Sequence, residues 1–470
     1  MIDFLLIAET ATAAANGDHA VSTGVTILFG LILAAMIAAL ALEEKLHAKK
    51  SIIVGTFAGL CMILGVLTGL IGHTNGSEGD GNADLPIYVE FIDWGVITII
   101  LGASLFVEVT SRSGVFTWMA ISLTRKSGGD PFRLLIFYGL LTVFFSAVLN
   151  NVTAMIIIGS LTTVSLRKLG RNDLLLGFLL TEGMLTNVGG LLTLISSVPN
   201  IIVGKVAGIS FAKFFLVAAP YVFVATAATL LMARWRFSIT GLKTETDKAD
   251  ARRLVESFDA TESVPSQSFF WFSVAALVAF IGCLAGQSAL PFGLNQLDMG
   301  FVALFFAGVV LLAYKHEVDK FYAVVDWDLL AFFAGLFVVI HVLEHAQVLA
   351  VLGRGISALL QLPSGINSMS LVVSSAIASS VTDNIPLSAV LARVLGNMQT
   401  PGDSPFWWCV IFGANLGGNL TPIGSASTVV AMTIIHRQKL DLTFVGFVKA
   451  AAPFAVLQII LAMMYVLIAV

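Results

Sequence analysis

Long apolar runs joined by short polar connections make up most of this chain. A helix needs about 20 predominantly apolar residues to cross a bilayer. Ten runs approach or exceed that length, near 24–42, 51–72, 92–111, 174–203, 212–234, 269–287, 299–314, 326–345, 406–435 and 453–470. The pattern therefore predicts an all-α polytopic membrane protein with ten transmembrane spans.

Two further apolar stretches, 133–167 and 364–396, are each interrupted near the middle by a polar pair. The pairs are Asn150-Asn151 and Asp383-Asn384. Basic residues favour the cytoplasmic side of a membrane, and Arg133 and Arg167 stand at the two ends of the first stretch. We therefore predict two re-entrant hairpins, each with its polar pair at the tip.

Two of the ten spans contain residues that break helices. The run 174–203 includes Asn187-Val-Gly-Gly190, and the run 406–435 includes Asn415-Leu-Gly-Gly-Asn-Leu-Thr-Pro422. A membrane tolerates unwound backbone only where it lines a cavity or is packed in protein. We predict that both spans are broken helices.

Several of these features recur in the two halves of the chain. An Asp-Trp pair at 93–94 returns at 326–327, and the same offset of 233 residues relates the two polar pairs. Beyond the hairpins, an offset of 228 residues relates Asn187 to Asn415. Each half holds five spans and one hairpin. Because five is odd, we predict two repeats of inverted topology, as in many secondary transporters.

Basic residues also orient the chain. Lys45, Lys49 and Lys50 place the connection after the first span in the cytoplasm, and hence the N-terminus outside. The acidic, glycine-rich loop 73–91 then falls outside.

These features divide the chain into four parts. Residues 1–23 are an N-terminal segment, either a short helix or a signal-like sequence. Repeat 1 covers 24–235 and repeat 2 covers 269–470, and the charged linker 236–268 is predicted to be cytoplasmic.

Composition agrees with a membrane protein and excludes other classes. The chain is 57% hydrophobic and 11% charged, whereas soluble domains carry about 25% charged residues. The net charge is −4 without a basic block, so no nucleic-acid partner is expected. Three cysteines without CxxC spacing predict neither a disulfide framework nor a metal cofactor.

The polar tips and helix breaks together predict a cation site. A small hard cation such as Na⁺ takes oxygen ligands from carboxylates, amides, hydroxyls and free carbonyls. Any single Ser, Thr or Asn could instead make an interhelical hydrogen bond. As a set beside helix breaks, the candidate Na⁺ ligands are Asn150, Asn151, Thr153, Asn187, Thr193, Ser196, Ser197, Thr382, Asp383, Asn384, Asn415, Asn419, Thr421, Ser425 and Ser427.

Asp383 is the acid at the centre of this prediction. An ionisable residue within a membrane is by default a functional-site hypothesis. Na⁺ and H⁺ would compete for its carboxylate, which is the simplest form of antiport. The alternative role is capping of the second hairpin helix.

Four other titratable side chains are candidates for a proton path or for pH sensing. Glu182 precedes the first helix break by five residues and is either a second buried acid or a charge near a span end. Glu108 and His341 occupy equivalent repeat positions, with Glu344 one turn further on. Alternatively, these three residues are interfacial side chains at the end of a span.

One motif favours a different class of protein. His341-Val-Leu-Glu-His345 matches H-x-x-E-H, a zinc signature of some peptidases. Two histidines four residues apart on a helix share a face, but no third ligand is evident. An intramembrane zinc enzyme is therefore the alternative outside transport.

The motif segments resemble a known family. Ser379–Leu387, Gly413–Ser425 and Leu149–Ala154 are similar to the signature segments of NhaD-type Na⁺/H⁺ antiporters, within the wider ion transporter superfamily. The string Asn419–Ser425 is also similar to arsenite permeases and, more distantly, to the melanosomal P protein.

This resemblance implies Na⁺ and Li⁺ efflux in exchange for protons across a bacterial inner membrane. It also implies a homodimer with an elevator-like transport domain. Arsenite transport is the alternative substrate class. Dicarboxylate transport is disfavoured, because the chain has no Ser-Asn-Thr motif and an ionised Asp383 would repel an anion.

Overall fold

A computed structural model describes residues 21–71, 86–287, 296–323 and 325–470. Regular secondary structure in these residues is helical throughout, so the prediction of an all-α protein is confirmed. The N-terminal segment up to residue 20 and the loop residues 73–85 lie outside the described part of the chain.

The described residues of the first half form nine helices of nine or more residues. They are α1 (Thr23–Ala41), α2 (Lys50–Leu67), α3 (Trp94–Arg112), α4 (Val115–Ser127), α5 (Pro131–Val148), α6 (Asn151–Lys168), α7 (Leu175–Gly189), α8 (Val198–Val206) and α9 (Phe211–Arg236). Short helical turns occur at Glu43–Leu46, Ile87–Phe91 and Asn172–Leu174.

The linker helix and the second half follow. They comprise α10 (Glu245–Glu256), α11 (Gln267–Gly286), α12 (Met299–Ala313), α13 (Trp327–His345), α14 (Val348–Leu360), α15 (Ile366–Val381), α16 (Asn384–Asn397), α17 (Pro405–Gly417), α18 (Ala426–Arg437) and α19 (Phe444–Ala469). Short turns lie at Thr261–Ser263, Lys315–Glu317 and Val318–Tyr322.

Eight helices in the described residues are long and apolar enough to cross a membrane. They are α1, α2, α3, α5, α9, α11, α13 and α19, and α12 joins them if its bent continuation to Tyr322 is included. Ten spans were predicted. The two interrupted spans are not among these eight, because each is divided into two helices that are too short to cross a membrane alone. Because α5 by itself is long and apolar enough to cross a membrane, its role as one arm of a re-entrant hairpin stays a prediction.

Helix boundaries repeat along the chain at the predicted offset. Helix α3 begins after Asp93 and α13 begins after Asp326, and each aspartate accepts a hydrogen bond from a backbone N–H three residues later. Helices α4 and α14, which the apolar pattern did not predict, are also 233 residues apart. The recurrence thus extends to elements outside the motifs.

Packing between the halves is reciprocal. Helix α3 packs against α12 while α13 packs against α2, and α7 packs against α18 while α17 packs against α8. Such exchange of equivalent partners is what a two-fold relation between repeats produces. The inverted orientation of the repeats relative to a membrane stays a prediction.

Two glycines at equivalent positions of the two halves each allow a close contact between neighbouring helices. A Cβ on Gly189 would lie 2.7 Å from the Val143 carbonyl oxygen, and one on Gly417 would lie 2.2 Å from the Ala376 oxygen. Only glycine fits such a backbone contact without displacing a helix. These contacts hold α7 against α5 and α17 against α15.

The linker is folded onto repeat 1. Val255 of α10 is buried, and the Lys168 ammonium lies 4.0 Å from the Phe258 ring centroid. The α10 helix and the turn at Thr261–Ser263 pack against α4. Most of the linker surface is nevertheless polar and exposed, as a connection in water requires.

Candidate functional site

Four interruptions in otherwise apolar helices define the candidate site. They lie at 149–150, 190–197, 382–383 and 418–425. Each interruption leaves carbonyl groups free at one helix end and N–H groups free at the next. The polar residues predicted from the sequence are concentrated at these points.

Asn187 lies at the centre of a buried polar network. Its Nδ2 donates to Asn419 Oδ1 at 2.8 Å and to Ser425 Oγ at 2.9 Å. Its Oδ1 accepts from Ser427 Oγ at 3.1 Å and from Asn151 Nδ2 at 3.4 Å. We call these five side chains, with Asn415, Ser197, Asn200 and Gln458 below, the amide network.

Asn415 repeats the arrangement in the other half. Ser197 Oγ donates to Asn415 Oδ1 at 2.8 Å, just as Ser425 pairs with Asn187. The Asn415 Nδ2 donates to Asn200 Oδ1 at 3.0 Å. Asn187 and Asn415 thus each contact the serine directly before the helix that follows the break in the other half.

Gln458 of α19 extends the network beyond the predicted residues. Its Oε1 accepts from Asn419 Nδ2 at 2.8 Å, and its Nε2 donates to Thr229 Oγ1 at 2.9 Å. The sequence analysis missed Gln458 and Asn200. Both are polar residues inside apolar helices, and the cost of burying such groups without partners could have identified them.

Matching hydrogen bonds join α5 to α7 and α15 to α17. Ser146 Oγ donates to the Thr186 carbonyl at 2.6 Å, and its counterpart Ser379 donates to the Ala414 carbonyl at 2.5 Å. Of the predicted ligands, Thr193 donates to the Ala147 carbonyl and Thr421 to the Ser380 carbonyl, both at 2.6 Å. Ser196 likewise donates to backbone carbonyls, those of Gly190 and Thr193.

Asp383 is held by an ion pair and not by the side chains of the amide network. Its carboxylate forms an ion pair with Lys50, and its Oδ1 accepts from the Ile385 N–H at 3.1 Å. Glu43 is a second carboxylate within 3.9 Å of the Lys50 ammonium. From the sequence, Asp383 was expected to lie among amide and hydroxyl oxygens. Instead it pairs with Lys50 of α2, a residue whose position in the sequence indicates only the sidedness of the membrane.

A cavity of about 500 Å³ lies beside Asp383, and its lining also includes the acids Glu43, Asp326 and Asp328. Its wall includes Lys49, Lys50 and Asp383 at one part and Asn384 and Ala426 at another. Ala426 stands between two members of the amide network, Ser425 and Ser427. The cavity therefore borders the N-terminus of α18 at Ala426.

The remaining tip residues mainly cap helices. Asn150 is exposed and its Oδ1 accepts from the Thr153 N–H at 2.7 Å, the position that Asp383 takes in the second hairpin. The Thr382 hydroxyl donates to the Ala378 carbonyl at 2.7 Å. Asn384 is nearly buried as the first residue of α16.

The proton-path candidates are scattered. Glu182 is fully buried, Glu108 pairs with Arg112 at 2.7 Å, and Glu344 lines a separate cavity of about 420 Å³. The His341 ring stacks on Phe91 with centroids 3.7 Å apart. Among the described residues, no group of three His, Cys, Asp or Glu side chains could hold a metal ion, so the HxxEH segment lacks a third ligand there.

Comparison with known proteins identifies the family. Residues 5–410 match the sequence model of CitMHS, described as citrate transporter. The chain belongs to this citrate transporter family. An uncharacterized transporter of Mycobacterium tuberculosis is 32% identical over 385 residues, which cover 80% of this chain and 86% of that protein.

More distant relatives of this family member cover most of its length. The human P protein is 25% identical over 526 residues, covering 96% of the chain and 60% of the P protein. The solved structures of the Alcanivorax borkumensis YdaH transporter and of Neisseria gonorrhoeae MtrF share its fold, each with a TM-score of 0.57, at 15% and 12% identity. The chain is thus a membrane transporter, whereas membership of the NhaD-type group stays a prediction.

Proposed function

We propose that this citrate transporter family member is a secondary transporter that exchanges cytoplasmic Na⁺ or Li⁺ for external protons. The observation that carries the proposal is the amide network, whose members are neutral oxygen-bearing side chains at two helix breaks. A cavity that Ala426 lines, between Ser425 and Ser427, also contains the carboxylate of Asp383 together with those of Glu43, Asp326 and Asp328. Neutral oxygen ligands beside a carboxylate suit a monovalent cation.

Alternating access is supported by the reciprocal contacts. Equivalent side chains of the two halves exchange partners at Asn187–Ser425 and at Asn415–Ser197. We place the repeats in inverted orientation, because each contributes an odd number of crossings. Two such repeats can exchange conformations and open the same site to opposite sides.

Lys50 has a defined place in this scheme. Its ammonium pairs with the Asp383 carboxylate in the structure, so Lys50 has to move away before another cation can bind this carboxylate. We propose that Na⁺ displaces Lys50 from Asp383, and that a proton on Asp383 releases the Na⁺. Because lysines near span ends favour the cytoplasm, the cavity beside Lys49 and Lys50 would load Na⁺ from inside.

The setting of the transporter completes the proposal. We place it in the bacterial inner membrane with the N-terminus outside and the linker 236–268 in the cytoplasm. The partners are Na⁺ or Li⁺, protons, the lipid bilayer and a second copy of the chain in a homodimer with elevator-like movement.

A second candidate function is transport of a carboxylate such as citrate. The family's description favours it, and the ion pair with Lys50 removes much of the repulsion that Asp383 would exert on an anion. Helix N-termini at Ser197 and Ser425 also suit negative charge. The amide network, however, lacks the Arg or Lys that a multiply charged anion calls for.

The test is dissipation of a pH gradient in everted membrane vesicles from a strain without its own Na⁺/H⁺ antiporters. Na⁺, Li⁺, K⁺, citrate and arsenite are added separately, with Asp383→Asn as the comparison. A response to Na⁺ or Li⁺ that is lost in Asp383→Asn is expected. A response to citrate alone would establish the second candidate, and a response to arsenite alone would replace both.

A further inference from the structure

Glu182 is a buried acid that the amide network does not use. Its side chain lies in α7 with 1% of its surface exposed. Oε1 accepts a hydrogen bond from Thr162 Oγ1 at 2.5 Å, while Oε2 has no partner among the described residues. An ionised carboxylate in this position would be costly, because burial of a charge requires a partner.

The surroundings of Glu182 provide no buried cation. Helices α5, α6, α9, α17, α18 and α19 pack against α7. Their basic side chains are all exposed, namely Arg133, Arg167, Lys168, Lys213, Arg234, Arg236, His436, Arg437 and Lys449. Their other titratable groups are Tyr138, Tyr221, Cys409 and Tyr465, and Asp173 in the turn before α7 pairs with Arg171.

A chain of hydroxyl groups approaches the same place. Thr124 Oγ1 lies 2.6 Å from Tyr138 Oη, which lies 2.7 Å from Ser165 Oγ. Ser165 stands one turn after Thr162 on α6, and Thr162 is the residue that donates to Glu182. Hydroxyls both donate and accept, so a series of them can pass a proton from the Thr124 end.

The fold itself does not require these polar groups. The repeat offsets place Val410 at the position of Glu182 and Leu395 at that of Thr162, and both are fully buried. Leu371 and Met398 correspond to Tyr138 and Ser165. Because an apolar pair fills the equivalent site, packing alone does not explain a carboxyl group there.

We propose that Glu182 is a second proton-carrying group of the transporter, reached through the Thr124–Tyr138–Ser165 hydroxyls. This inference rests on the proposed Na⁺/H⁺ exchange. One Na⁺ leaves Asp383 as one proton binds there, and Glu182 carries another proton inward in the same cycle. Two protons then enter for each Na⁺ that leaves, which moves one net positive charge inward.

The experiment measures the charge moved per Na⁺ in proteoliposomes under an imposed membrane potential. Wild type is expected to exchange two protons per Na⁺ and to respond to the potential. Glu182→Gln should exchange one proton per Na⁺, and its rate should not depend on the membrane potential. The control variant Asp173→Asn, which changes an exposed acid, should behave as wild type. An unchanged ratio in Glu182→Gln, or an electroneutral wild type, would overturn the inference.

A direct measurement separates this inference from the proposed function. In the infrared spectrum of the protein in lipid, a protonated carboxyl band should be present and should disappear in Glu182→Gln. If wild type transports no alkali cation but shows this band, the proposed exchange fails while the proton assignment stands. Absence of a Glu182 band at every pH tested would overturn the assignment.

A milder pair of variants serves if Glu182→Gln does not fold. Thr162→Val removes the hydroxyl that donates to Glu182 and should shift the pH profile of exchange. Thr162→Ser retains the donor and should keep the wild-type profile. Identical profiles for Val and Ser would count against Glu182 as a proton carrier.

Discussion

Lys50 gives a quantitative test of how the cation site works. The variant Lys50→Met keeps the length and apolar stem of the side chain but removes the ammonium that occupies Asp383. If Na⁺ competes with this ammonium, the variant should bind Na⁺ more tightly. The exchange should therefore reach half its maximal rate at a lower Na⁺ concentration than in wild type.

The size of the effect follows from the ion pair. Two unit charges about 4 Å apart attract by about 4 kcal/mol at an effective dielectric constant of about 20. The Lys50 and Asp383 side chains are 30% and 15% exposed, and water screens such pairs to about 1 kcal/mol or less. Removing a competitor of about 1 kcal/mol lowers the KM for Na⁺ about fivefold.

The assay is a Na⁺ titration of pH-gradient dissipation in everted vesicles at alkaline pH, where protons compete least. Lys49→Met is the matched control, since Lys49 lines the same cavity and precedes Lys50 directly. A lower KM confined to Lys50→Met would support competition. If Lys50→Met instead kept the wild-type KM and only lowered the melting temperature, the ion pair would be structural and the displacement mechanism wrong.

Three further variants test other parts of the site. Asp383→Asn should abolish the Na⁺ response while the melting temperature stays within a few degrees of wild type, because Asn can still cap α16; retained exchange would exclude Asp383. Asn187→Ala removes the amide that joins both repeats and should raise the KM for Na⁺ about tenfold, the equivalent of about 1.4 kcal/mol; an unchanged KM would limit Asn187 to packing. Gly417→Ala should lower the melting temperature, because its Cβ would lie 2.2 Å from the Ala376 oxygen; Gly282→Ala, with open space around its Cβ, is the control, and equal melting temperatures would refute the contact.

Much of the framework could be predicted from the sequence because its signals are local. Gly-Gly at 189–190 and 417–418 ends helices where unwinding was expected. The polar pair at each tip coincides with the start of α6 and of α16. Helices α4 and α14 were missed because each has 13 residues, which is too short to register as a span.

The chemistry at the site depends on distant partners, which local patterns do not specify. Lys50 and Asp383 are 333 residues apart, and a lysine at the start of a span has an ordinary explanation in membrane sidedness. Gln458 joins the network from the last helix, in a run whose other residues are apolar. The sequence identified Asn187, Asn415, Asn419 and Ser425 as a set, but their reciprocal pairing required the three-dimensional arrangement.

The two halves of the described chain share equivalent helices and contacts, and they differ in their acids. The hairpin caps, the tip hydrogen bonds and the close glycine contacts each occur twice at equivalent positions. Asp383 corresponds to Asn150, and Glu182 corresponds to Val410, so neither carboxyl group has an acidic counterpart in the other half. A symmetric framework can open to either side, but it has no means of distinguishing a cation from a proton. We infer that the two acids without a counterpart supply this distinction, and that the amides hold the halves together while it operates.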